Sequence, residues 1–200
     1  RTRKRAIDER LIARLKNLDL PVSGPLPLAR DLFVFSYCAR GMAFVDMAFL
    51  RKKDMRDGAI HYVRRKTGLR MTVHLEACMR EIIGRYASRT RDTPYLFPVL
   101  TAEDPARAYA QYQGALNYYN RLLKKLASLL GLDSGLSSYT SRHSWATAAR
   151  NHNVPLPVIS AGMGHTSERT TQIYLSALET SVVDSANRKI LASLNRCASC

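Results

Sequence analysis

The sequence predicts a mainly α-helical domain with one small antiparallel β-sheet, and three observations lead there. Apolar residues recur at helical spacing along most of the 200 residues. One stretch breaks that rhythm: Ile60–Val63 and Arg70–Val73 read as strands around a turn. No repeat or low-complexity tract intervenes, and the length suits one domain with a substantial core.

In order, Ile7, Leu11, Ile12 and Leu15 mark a short first helix, followed by the Pro- and Gly-containing segment 21–27. Leu28 to Ala39 and Ala43 to Leu50 read as buried helices broken at Gly41. Asp57-Gly58 is a turn signal, and Lys66-Thr67-Gly68 turns between the two strands, which predicts a β-hairpin with Lys66 at or near its tip. Leu75 to Tyr86 returns to helix, and a loop spans Pro94, Pro98 and Pro105. A long amphipathic helix is expected near Gly114 to Leu130, stopped at Gly131. Ser141 to Asn151, Leu156 to Met163 and Glu168 to Leu178 read as three shorter helices. A last helix runs from Val182 to Leu194, with Val182, Val183, Ala186, Ile190 and Leu194 on one face.

Lysine and arginine outnumber aspartate and glutamate by 31 to 16, a net charge of +15. That excess favours a polyanionic partner, because each neutralised phosphate releases condensed counterions. Charge alone does not choose between DNA, RNA, an anionic membrane surface and a merely solvated basic surface. No apolar run approaches the ~18 residues of a membrane span, and nothing reads as a signal peptide, so no membrane partner is expected. The chain opens on the basic run Arg1-Thr2-Arg3-Lys4-Arg5 rather than on Met, which suggests a fragment of a longer protein. Cys38 and Cys78 lie in apolar periodic segments and read as small core residues. Cys197 and Cys200 form a lone C-x-x-C pair with no nearby His or second pair, which argues for a reduced cytoplasmic tail over a zinc site.

The most informative strings are Arg142-His143-Ser144-Trp145-Ala146-Thr147 and Met163-Gly164-His165-Thr166-Ser167-Glu168-Arg169-Thr170-Thr171-Gln172-Ile173-Tyr174. Arg142 is followed by His165 after 23 residues and by Tyr174 after 9 more. In order and spacing these resemble the carboxy-terminal signature of the tyrosine recombinases, the phage integrase family, over roughly residues 28–178. The resemblance implies an integrase-like catalytic domain that cleaves and rejoins DNA through a 3′-phosphotyrosyl link, needing neither metal nor ATP. The residue types suit that reaction. In-line attack on a phosphodiester develops negative charge that guanidinium groups bind bidentately. A protonated tyrosine needs positive surroundings or a base, and the leaving 5′ oxygen needs a proton that a lysine can supply.

By that resemblance Tyr174 is the nucleophile, Arg142 the second phosphate-binding arginine and His165 the histidine that hydrogen-bonds the phosphate. Lys66, in Arg64-Arg65-Lys66-Thr67-Gly68, matches the hairpin lysine and general acid. His61, His74 and His152 lack such a context and read as surface or half-buried side chains.

Two positions depart from the family pattern. Tyr139 stands where the family usually has the histidine of H-x-x-R; a phenol titrates near ~10 against ~6.5 for imidazole, so Tyr139 is a poor base at neutral pH. It can keep a hydrogen bond to the phosphate or nucleophile while proton removal passes to His165 or water. Aligning Asp46 and Leu50 with the acid and leucine of the first-arginine box leaves Ala43 in the arginine slot. Arg40, three residues earlier, is expected to fill that role from the same helix face. Arg64 or Arg65 on the hairpin is the alternative, and both are expected DNA contacts. Asp46 is expected to orient the basic cluster rather than react.

The resemblance further implies double-stranded DNA as partner, a homotetramer on DNA, accessory DNA-bending or directionality proteins, and a cytoplasmic, nucleoid-associated location. It divides the chain into a basic linker and first helix (1–25), the catalytic domain (26–178), and a C-terminal helix and tail for oligomer contact (179–200), with an amino-terminal DNA-clamping domain missing. A topoisomerase IB-like enzyme and a non-catalytic DNA-binding descendant of the fold are the competing readings. The changes at Tyr139 and Ala43 keep the latter alive. No acidic cluster with ligand spacing supports a two-metal nuclease.

Overall fold

The computed structural model describes residues 6–165, and their architecture is seven α-helices with one three-stranded antiparallel sheet. Helix α1 (Glu9–Lys16) starts where the Asp8 carboxylate accepts from the Leu11 N–H, and it buries Ile12 and Leu15. Helix α2 (Leu26–Cys38) is the hub of the domain. Phe33 and Phe35 are fully buried, and the helix touches α1, α3 (Phe44–Phe49), α4 (Ala77–Tyr86), α5 (Pro105–Leu129) and α6 (Thr140–Asn151). Such a central position requires a helix that is largely apolar and that satisfies its buried polar side chains, Asp31 and Ser36, with hydrogen bonds.

Between α3 and α4 the chain forms β1 (Met55–Arg56), β2 (Ala59–Val63) and β3 (Arg70–His74), paired in that order. The predicted hairpin is β2–β3, in register Ile60↔Val73 and Tyr62↔Met71, with Lys66 in its turn. Strand β1 is too short to carry any sequence period. It exists because Asp57 (φ 51°) and Gly58 (φ 70°) both adopt the left-handed conformation of a two-residue hairpin turn.

The long helix differs from expectation at its start. It begins nine residues before Gly114, because Asp104 caps the Arg107 N–H and Pro105 occupies the first turn, where its missing N–H costs nothing. It ends before Gly131 (φ 69°), as expected. Helix α7 (Leu156–Met163) packs on α6 through Ile159, Met163 and Ala146, which form a small apolar cluster of their own. No helix among the described residues is long and apolar enough to cross a membrane.

Candidate active site

Three main-chain features converge around the start of α6: the turn after α2, the β2–β3 hairpin and the C-terminal end of α7. The turn after α2 is Arg40-Gly41, with φ of 59° and 70°. Gly41 and Met42 N–H groups return to the Ser36 carbonyl, and Ser36 Oγ donates to the Met42 carbonyl at 2.7 Å. Since that bond uses the Ser36 proton, Ser141 is the donor in the 2.7 Å Ser36–Ser141 contact, which ties α6 to α2 one residue before Arg142. A Cβ on Gly41 would stand 2.7 Å from the Arg142 Cα, so only glycine lets the two backbones approach this closely.

At the other side, α7 closes on Gly164 (φ 63°), where Gly164 and His165 N–H groups bond back to the Ala161 and Ser160 carbonyls at 3.0 Å. Any side chain at position 164 would meet Met71 Sδ at 2.8 Å and Arg64 Cδ at 3.2 Å. The carbonyls at this helix end hold two arginines. Arg142 donates to Met163 O at 2.5 Å and to Gly41 O at 2.7 Å, and Arg64 donates to Gly164 O. Both guanidinium groups are buried, at 3% and 6% exposure, and their planes are fixed by neutral backbone acceptors.

Asp46 is the buried carboxylate of this region. Its Oδ1 accepts the Arg65 N–H at 2.9 Å, which anchors the hairpin turn to α3. Burial pushes its carboxyl up, while that N–H and the charges of Arg64, Arg142 and Arg65 pull it back. His165 is driven the other way: burial first, then Arg142, Arg64 and Lys66, lower its pKa to about 4. The imidazole is therefore neutral at neutral pH, set against three cationic side chains.

Arg142, His165, Arg64, Lys66 and Asp46 are thus brought together. Arg40 lies at the rim. The expected helical face does not exist, because Arg40 occupies a left-handed turn and Ala43 is the extended residue that opens α3. Its guanidinium instead crosses to the hairpin, 3.4 Å from the Thr72 carbonyl. Holding a non-glycine residue at positive φ costs about 1 kcal/mol. Arg65 is exposed, with its guanidinium 3.7 Å above the Phe49 ring. Tyr139 precedes α6, is 50% exposed, and acts electrostatically on Tyr112, whose phenol is pushed up by burial first and then by Tyr139, Tyr109 and Asp46. His61 contacts Thr72 and lines a cavity with Asp46, Tyr62 and Arg65, whereas His152 pairs with Glu9.

Sequence reasoning missed Tyr62. Burial, then Asp46, push its phenol up to about 12, against the pull of Arg142, Arg64 and Arg40. The signal was present in the strand period: Ile60, Tyr62 and Arg64 alternate onto one face. Tyr174, the expected helices at 168–178 and 182–194, and Cys197 and Cys200 lie outside the described residues.

Residues 9–180 match the phage integrase family. Tyrosine recombinase XerD of Pseudomonas aeruginosa is 32% identical over 100 residues, covering 50% of this chain and 30% of the relative. XerD of Pseudomonas putida is 34% identical over 84 residues, covering 42% and 25%. These matches span less than a third of the curated relatives' length. Among solved structures, the XerH site-specific recombinase bound to palindromic difH substrate, a post-cleavage complex, has a TM-score of 0.67 at 16% identity, covering 94% of this chain and 53% of that one. XerA recombinase gives 0.64 at 16% identity, covering 92% and 63%. The Tn1549 transposon integrase in complex with transposon right end DNA gives 0.60 at 14% identity, covering 92% and 64%. The fold is that of tyrosine recombinase catalytic domains, and the chain belongs to the phage integrase family.

Proposed function

We propose that this chain is the catalytic domain of a site-specific DNA recombinase, cleaving and rejoining strands through a 3′-phosphotyrosyl intermediate on Tyr174. The carrying observation is the convergence of Arg142, Arg64, Lys66 and neutral His165 at the end of α7, nine residues before Tyr174. Such a site is oriented before DNA arrives, so stabilising the charge of a pentavalent phosphate requires little rearrangement. The two backbone-held arginines fill the paired-guanidinium role, with Arg40 adding charge from the rim.

Lys66, exposed at the hairpin tip, protonates the leaving 5′ oxygen. His165 hydrogen-bonds a non-bridging oxygen. The bound phosphate anion raises its basicity, which lets it receive the Tyr174 proton that Tyr139 is unsuited to take. Tyr139 offers its exposed hydroxyl to the DNA, and Asp46 holds the hairpin turn. Arg65 contacts the DNA backbone. Double-stranded DNA is the partner, and exchange of both strand pairs takes four protomers with the 179–200 segment as oligomer contact.

The test is trapping on nicked suicide DNA followed by peptide mapping. The wild-type chain, joined to its DNA-clamping region, is expected to give a covalent adduct on Tyr174, and Tyr174→Phe none. An adduct that persists in Tyr174→Phe, or a wild type that binds DNA without any adduct, overturns the reading.

A further inference from the structure

Two cysteines stand apart from the chemistry above. Cys38 is the last residue of α2 and Cys78 the second residue of α4, 40 positions apart in sequence. Both are free and half-buried, at the edge of the main core, and their sulfurs lie 3.0 Å apart. A disulfide bond is ~2.05 Å long, so about 1 Å of approach separates the pair from covalent closure. Two small core residues chosen only for packing have no need to meet sulfur to sulfur, and half-burial leaves a path for small oxidants.

We propose that Cys38 and Cys78 form an oxidant-sensitive thiol pair, closed to a disulfide by peroxides or by small disulfide-type oxidants and reopened by dithiols. Burial first, and the hydrogen-bonded Cys78 sulfur second, push the Cys38 thiol up to about 12, so Cys38 keeps its proton and the first attack comes from the Cys78 sulfur. The Cys78 sulfur takes the terminal oxygen of the peroxide, the O–O bond breaks, and water or an alcohol leaves with the proton that the Cys78 thiol gives up. The resulting sulfenic acid is then attacked by the Cys38 sulfur. The S–O bond breaks, a second water departs, and the Cys38 proton goes with it. Two thiols are oxidised and one peroxide is reduced. In a reducing compartment such a bond is transient and sensing rather than structural. Its position gives it a lever: Cys38 is two residues from Arg40, in the turn whose Gly41 carbonyl holds Arg142.

The experiment uses the full chain with Cys197→Ser and Cys200→Ser, so that only the described pair remains. Stoichiometric hydrogen peroxide or diamide is added, thiols are counted after denaturation, and peptides are mapped by mass. The expected result is that both thiols disappear together, without cross-linked dimer at any protein concentration. The mass then falls by two hydrogens, a Cys38–Cys78 cross-linked peptide appears, and dithiothreitol restores both thiols. Cys38→Ser in the same background is expected to leave Cys78 as a sulfenic or over-oxidised species instead. Persistence of both thiols, oxygen adducts on separate cysteines of the intact pair, or cross-links only between molecules would each overturn the proposal.

Discussion

Among the described residues two buried carboxylates are surrounded by arginine, Asp31 and Asp46, and they are built in opposite ways. Asp31, on α2, is saturated by side chains: Arg30 Nε at 2.8 Å, Arg85 Nη1 at 3.2 Å to both oxygens, and the Tyr86 hydroxyl at 2.8 Å. Burial, followed by Asp31, raises the Tyr86 phenol well above its usual range, so the phenol remains a donor. Asp46, on α3, receives the Arg65 main-chain N–H, while Arg142 and Arg64 send hydrogen bonds to carbonyls of Gly41, Met163 and Gly164. A carboxylate acceptor cancels a guanidinium's charge, whereas a carbonyl orients it and leaves the charge in place. The Asp31 cluster is a closed structural tie between α2 and α4. Around Asp46 the described cations outnumber the carboxylate, and their field adds to burial, the larger cause, in lowering His165.

The sharpest way to break this contrast is to remove Arg142. Arg142→Ala is expected to lower single-turnover covalent trapping on suicide DNA by about 10³-fold, the scale of losing a preorganised charge stabiliser. Arg64→Ala should follow at about 10²-fold, and Arg40→Ala, at the exposed rim, at about 10-fold. DNA binding measured by fluorescence anisotropy should change far less than trapping in all three. A larger loss from Arg40→Ala than from Arg64→Ala would return the first-arginine role to the turn and demote the hairpin.

Asp31 predicts the complementary pattern. Asp31→Ala leaves the Arg30 and Arg85 charges and the Tyr86 hydroxyl without their shared acceptor, and breaking a buried pair costs about 3 kcal/mol. The discount for Arg85, which is 41% exposed, puts the expectation at this low end. Urea denaturation should show the loss, and trapping measured well below the melting temperature should stay within about twofold. A catalytic defect without a stability defect would mean that the two clusters are not separate in role.

Much of this was legible in sequence because it depended on local rules. The break at Gly41 and the hairpin with Lys66 in its turn follow from residues whose local spacing encodes their geometry, whereas the association of Arg142 with His165 was implied by the family resemblance of the two strings. What escaped depended on contacts between distant segments. The first-arginine question turned on whether Arg40 and Ala43 share a helix, and the left-handed Arg40-Gly41 turn, which the close approach of α6 requires, removes that helix. Arg64 looked like one of several hairpin cations until the end of α7 supplied it a carbonyl 100 positions away. The Asp31 cluster joins residues up to 55 positions apart and leaves no sequence period at all.

The smallest expected effect tests the field itself. His165 titrates near 4 when folded and near ~6.5 when unfolded. Above pH 6.5 both states hold it neutral and it contributes no pH dependence. As pH falls from about 6.5 towards 4, the unfolded chain takes up a proton that the folded chain refuses, so stability declines across that window and levels off below it. Because the imidazole is only half-buried, solvent screening reduces the loss to about 1 kcal/mol. Carboxylates titrate in the same range, so the measurement is the difference between wild type and His165→Gln in urea denaturation at pH 7 and pH 4.5. The variant should lose less stability on acidification than the wild type. Added DNA should narrow the difference, because a phosphate anion beside Arg142 and Arg64 offsets the charge that keeps His165 neutral. Equal acid sensitivity in the two proteins would mean that neither burial nor the surrounding cations hold His165 neutral in the folded chain.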